Sequence, residues 1–205
     1  DRLLHVTAYA RTANERVIVV AGGHGVRSLP RYSERFFDYS CTGDVEQIQD
    51  VIREALGPEY LSPEFQPRYD LAYWIKRIGY AESTRNCNFK CSFCSLTGVG
   101  LKYQPQQLDY TEAQLEAMGP RPLLFFNDNQ LLGSGPANFR SRIAQVQKRR
   151  EAGQFRYWGG FVTDTFFWDE AKIELAPEIG CMVLFVGVES LENEMWLKSV
   201  YKRQK

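Results

Sequence analysis

The sequence predicts an α/β protein built in two parts, and three observations carry that prediction. Short apolar runs alternate with segments of helical period along most of the 205 residues. A stretch at 57–69 containing Pro58, Pro63 and Pro67 breaks the alternation. The alternation then resumes. Strands joined through single helices run parallel, because a crossover and not a hairpin connects them, so each part reads as βα units around a parallel sheet.

In chain order, residues 1–13 place Leu3, Leu4, Val6 and Ala10 on one helical face. Residues 17–21 are a short buried strand that ends in the glycine turn of Gly22, Gly23, His24 and Gly25. Residues 36–40 form a weaker second strand. A helix is expected over 43–56, where Val45, Ile48, Ile52 and Leu56 recur at helical spacing and Asp44 and Glu46 occupy the first turn. After the break come a strand at 75–83, a helix at 111–118 and a strand at 123–127. A basic helix at 138–152, a strand at 155–162, a helix at 169–179, a strand at 181–189 and a helix at 191–201 follow. The parts are then 1–57, a linker at 58–74, and 75–205. There is no internal repeat and no low-complexity tract.

Composition narrows the function classes. Hydrophobic residues make up 44% of the chain, enough for a packed core. Lys plus Arg and Asp plus Glu are both 25, so no charge excess asks for nucleic acid or an anionic membrane as partner. The longest apolar runs, 17–21 and 181–186, are far shorter than the roughly 20 residues of a membrane span. No secretory signal opens the chain. The first residue is Asp1, and the last residues follow a helical segment without a stop signal, which reads as a fragment of a longer protein. The five cysteines are odd in number and crowded, unlike a disulfide framework, so a cytoplasmic, reducing setting with a metal or cluster site is expected.

Cys87, Cys91 and Cys94 are spaced C-x3-C-x2-C just after a predicted strand. Thiolates are soft ligands that suit iron–sulfur clusters or zinc. An all-protein [4Fe-4S] site uses four cysteines, and a structural zinc site uses four ligands. This loop offers three. Three thiolates can leave one iron open for a substrate to bind; the alternatives are a zinc-stabilised, non-catalytic module completed from afar by Cys181, or three incidental cysteines.

The spacing, with aromatic Phe93 before the last cysteine, resembles the signature of the radical S-adenosylmethionine (SAM) enzymes. The resemblance implies that the open iron is chelated by SAM, and that the reduced cluster cleaves SAM to a 5′-deoxyadenosyl radical. It also implies a partial (β/α)6 barrel over about 75–201, holding about four strands, with the cluster loop after the first. Sites in such barrels gather at the C-terminal strand ends. Asn127 and Asp128 stand where relatives contact the SAM amino group. Gly187, Glu189 and Ser190 are similar to the G-x-E-S strand of cobalamin-containing members, where Glu189 and Ser190 would meet the ribose or methionine part of SAM. Thr163 and Asp164 mark a further polar strand end.

The first half resembles the later part of a Rossmann-like cobalamin-binding domain. Gly22 and Gly23 match the glycine pair that lets the backbone approach the cobalamin nucleotide tail, and Gly43, Asp44, Val45 and Glu46 match a second turn imperfectly. The axial-ligand pattern D-x-H-x-x-G does not occur, and His24 sits in the wrong motif for that role. The resemblance implies a small-molecule substrate, a reducing partner such as flavodoxin or ferredoxin, and methyl transfer through cobalamin, with the anaerobic tetrapyrrole cyclases as the alternative reaction.

Overall fold

The computed structural model describes residues 2–62, 67–72, 76–131 and 135–187. It divides into two compact units, Asp1–Phe65 and Gln66–Lys205, so the break falls inside the proline-bearing stretch.

The first unit contains α1 (Arg2–Ala13), β1 (Val20–Gly22), α2 (His24–Ser28), α3 (Pro30–Ser33), β2 (Tyr39–Cys41) and α4 (Ile48–Ala55). β1 and β2 are parallel, with Ala21 opposite Ser40 and Gly22 opposite Cys41. Ala21 and Cys41 are buried. Asp38 fixes the entry to the sheet: its carboxylate accepts from the Val19 N–H at 2.8 Å and from Arg11 at 3.1 Å. Three expectations need correction. The buried strand expected over 17–21 forms only at Val20–Gly22, and Ile18 and Val20 are exposed. The helix α1 forms, but Leu3, Val6 and Tyr9 lie 64%, 65% and 79% exposed, so its apolar side is not a buried face. The helix expected over 43–56 starts as a 3-10 turn at Val45–Gln47 and becomes α-helical only at Ile48, and Val45 and Leu56 stay exposed.

The second unit contains β3 (Ile78–Ala81), β4 (Thr84–Arg85), α5 (Ser95–Val99), β5 (Gln104–Pro105), α6 (Leu108–Met118), β6 (Leu123–Phe126), α7 (Pro136–Glu151), β7 (Tyr157–Val162), α8 (Glu170–Glu178) and β8 (Cys181–Val186). Its main sheet has four parallel strands in the order β3-β6-β7-β8, which is chain order. Along β6, Leu124 and Phe126 are buried while Leu123 and Phe125 are less so, as period-two side-chain placement requires. Leu124, Phe126, Trp158 and Val162 face Leu115 and Met118 of α6, Ile143 and Val146 of α7, and Ile179 after α8, forming one core. Gly79 belongs to that face, and a Cβ there would lie 1.8 Å from the Met118 sulfur, so glycine lets α6 sit close on β3.

The other face of the sheet carries rings. Phe125 packs edge-on against Phe161 at 5.5 Å and Phe185 at 5.7 Å, and Tyr80 adjoins Phe125 at 6.2 Å. Phe161 and Phe185 remain 44% and 50% exposed. The described part of the strand expected at 181–189 ends at Val186, and the helix expected at 191–201 lies outside the described residues.

Candidate functional site

The cysteine segment leaves the sheet at the C-terminal end of β3, and the backbone there is accounted for group by group. Glu82 is paired through both its N–H and its C=O with the Gln114 side-chain amide of α6, at 2.9 and 2.8 Å. This is a strand-like pairing made by a side chain, and it prolongs β3 by one residue. The next residues, Ser83 and Thr84, donate their N–H groups to Asp128 at 2.7 and 3.0 Å, and the Ser83 hydroxyl donates to the same carboxylate. The Asn127 N–H donates to Ala81 O at 2.9 Å, which places Asp128 just past the end of β6.

Arg142 of α7 closes the arrangement from the other side. It is 8% exposed and donates to Ser83 O at 3.2 Å, to Thr111 Oγ1 at 2.5 Å and to Gln106 O. Burial pushes the Asp128 carboxyl above the usual carboxylate range, although its three donors and the Arg142 charge pull the other way. Burial likewise lowers the proton affinity of Arg142, against the pull of Asp128.

Beyond Thr84, the short antiparallel ladder β4–β5 pairs Thr84 with Pro105 and Arg85 with Gln104. Gln106 N–H donates to Ser83 O at 2.9 Å, and the Asn86 side-chain amide donates to Lys102 O at 2.9 Å. Asn86 has φ 60°, a left-handed conformation that asparagine tolerates well, and it turns the chain into Cys87. The cysteine segment is thus a loop clasped at both ends. Within it Cys94 N–H donates to Cys91 O at 3.1 Å, and the Cys94 carbonyl accepts from Thr97 at the start of α5.

Cys87, Cys91 and Cys94 are half-buried on this loop, and none of them is in a disulfide. Among the described residues, no group of three or more His, Cys, Asp or Glu side chains is drawn together closely enough to hold a metal ion. The fit to a cluster therefore rests on the donor set: three soft ligands on one loop, at the strand end, with none offered as a fourth beside them. Phe93 projects at 58% exposure. Asn127 and Asn129 are exposed beside the loop, and the Asn129 amide donates to Asn86 O at 3.4 Å. Asp128 differs from Asn127: it has no exposed surface, and its oxygens are spent on Ser83 and Thr84. Glu189 and Ser190 lie outside the described residues. Cys181 is remote in sequence, on β8, and burial pushes its thiol up to about 11.

No family model matches the chain, and no curated protein matches it. A solved structure of the cobalamin-dependent S-adenosylmethionine radical enzyme OxsB, with aqua-cobalamin and S-adenosylmethionine bound, matches it with a TM-score of 0.63 at 16% identity. The likeness is one of fold. The match covers 97% of this chain and 34% of that one, so the chain spans about a third of the length of OxsB.

In the first unit, Gly22 and Gly23 end β1 beside the segment that leaves β2. Gly23 has φ 91° and ψ −169°, and precedes α2. Arg27 of α2 reaches across to that segment, donating to Thr42 O at 3.0 Å and to Asp44 at 2.5 Å. Sequence reasoning singled out the glycines and cysteines and passed over Arg27, Ser83, Gln114 and Arg142. Nothing in the pattern marks Arg142 among the basic residues of α7, because most of its partners are backbone carbonyls. No helix among the described residues is long and apolar enough to cross a membrane.

Proposed function

We propose that this chain carries the cluster-bearing part of a radical SAM enzyme, with Cys87, Cys91 and Cys94 as the protein ligands of a [4Fe-4S] cluster. The observation that carries the reading is the three-cysteine loop clasped at the end of β3, the first strand of a parallel sheet whose order follows the chain. The fold likeness to a radical SAM enzyme supports it. When bound, the cluster supplies the electron that breaks the SAM C–S bond. The loop would supply three ligands and leave the fourth iron for SAM. Phe93 and Asn127 are exposed on its SAM-facing side in this reading, with Glu189 and Ser190 completing the pocket. Gly22 and Gly23 would line the tail of a cobalamin, and the reaction would be methyl transfer to a small molecule in the cytoplasm, with electrons from a flavodoxin or ferredoxin.

Anaerobic reconstitution with iron and sulfide tests the reading. About four iron and four sulfide per chain, with a reduced-cluster EPR signal that changes on adding SAM, are expected. One zinc per chain and no iron uptake would make it a zinc module instead.

A further inference from the structure

We propose that Asp128 acts on the cysteine loop and not on a ligand: together with Arg142 it is a positioning pair that fixes the direction in which the chain leaves β3 toward Cys87. The proposal deepens the radical SAM reading and rests on it for the identity of what the loop holds. Its geometry is independent of any cofactor. A carboxylate with no exposed surface has three donors from two consecutive residues, Ser83 and Thr84. A buried guanidinium holds the Ser83 carbonyl together with Gln106 O, so one side chain ties the strand entering the loop to the strand leaving it. Thr84 Oγ1 adds a bond to Gln130 O at 3.4 Å, on the same segment as Asp128.

Each of these groups is placed by a different element. Asp128 comes from the end of β6, Arg142 from α7, and the Thr111 hydroxyl that also receives Arg142 from α6. The exit from β3 is therefore set by the packed sheet and its helices, not by the loop itself. Groups that hydrogen-bond a metal's ligands from outside change its affinity about 10- to 100-fold without touching the metal; Asp128 acts one step further out, on the backbone that leads to Cys87.

The test uses the Asp128→Asn variant, which keeps the shape and loses the charge. In the metal-free protein, amide exchange at Ser83, Thr84 and Gln106 should rise about tenfold more than at Trp158 in β7, because the opening is local. After anaerobic reconstitution, iron retained against a chelator should fall about tenfold, with SAM affinity per loaded cluster unchanged. Unchanged exchange or unchanged iron retention overturns the proposal. Weakened SAM binding at full iron loading would make Asp128 a ligand contact, which also overturns it. Should Asp128→Asn fail to fold, Ser83→Ala, which removes only the hydroxyl contact, must give the same local rise in exchange, and its absence would be equally fatal. A wild-type protein that takes up no iron defeats the radical SAM reading, whereas the exchange measurement still decides whether Asp128 braces the loop.

Discussion

Asp128 and Arg142 grip the same residue from its two ends: Asp128 accepts the Ser83 N–H and Arg142 donates to the Ser83 carbonyl. Both are buried, and each is the other's electrostatic partner. Because burial raises the folded-state pKa of Asp128, its contribution to stability is fullest below the unfolded value, about 3.9, and is lost as pH rises through the raised value. Removing the cation in Arg142→Met takes away one of the influences holding that value down. We expect a loss of about 3 kcal/mol at pH 7 that shrinks as the pH falls and Asp128 takes up a proton. Urea unfolding over a pH series measures it, and a loss that stays constant down the series would uncouple the two residues.

The three loop cysteines should be individually required for iron. Cys87→Ala, Cys91→Ala or Cys94→Ala should each abolish cluster absorbance and EPR after reconstitution, while Cys41→Ala and Cys181→Ala keep both. Retention of iron by Cys87→Ala together with its loss from Cys181→Ala would reverse the assignment.

Cys181 should also be chemically quiet. With its thiol pushed up to about 11 by burial, it is protonated at pH 8. Its alkylation by iodoacetamide at that pH should be roughly a hundredfold slower than that of a free cysteine peptide, because the thiolate is the nucleophile. Peptide mapping over time reads the rate, and modification at the peptide's rate would contradict the burial argument. The same shift means that Cys181 favours the folded state below pH 9 and ceases to do so as pH climbs toward 11.

Gly23 separates strain from ligand contact. Its φ of 91° and ψ of −169° fall in a region essentially restricted to glycine, yet a Cβ there meets nothing within 4 Å. Gly23→Ala should therefore cost about 2 kcal/mol of stability through the backbone alone. If the turn receives a cobalamin, Gly23→Val should also lose the corrinoid visible spectrum while keeping the cluster. A variant that binds hydroxocobalamin normally would detach the glycine pair from that role.

Gly79 tests the packing beneath the site. Its missing Cβ leaves room for the buried Met118 side chain. Gly79→Ala should cost about 2 kcal/mol by overpacking. Adding Met118→Ala should make the pair less harmful than the sum of the single changes, and additive losses in thermal unfolding would rule out the contact as the cause.

What could be read from the sequence was whatever repeats with a period. The apolar run at 123–126 announces a strand, but four apolar residues in a row do not say which alternate pair is buried; the structure shows it to be Leu124 and Phe126. The α1 helix was also legible, but period alone does not say whether a face is covered, and Leu3, Val6 and Tyr9 are not. The clasp of β4 with β5 was invisible, since a ladder of two residues among polar neighbours has no pattern to show. Asp128 stood out as a polar residue at a strand end, but its partners, the backbone N–H groups of Ser83 and Thr84, carry no side-chain signature. Arg142 was hidden for the same reason.

The β4–β5 clasp has a consequence for how thiols meet a metal. Joining the two ends of a segment removes most of the conformations a free chain would sample, and that entropic cost falls due when the protein folds, before any metal arrives. Between Asn86 and Tyr103 the three thiols can wander only within a ring whose anchor is already fixed. They meet an incoming ion at the high effective concentration of groups on one short tether, so capture of the second and third bonds is an intramolecular event.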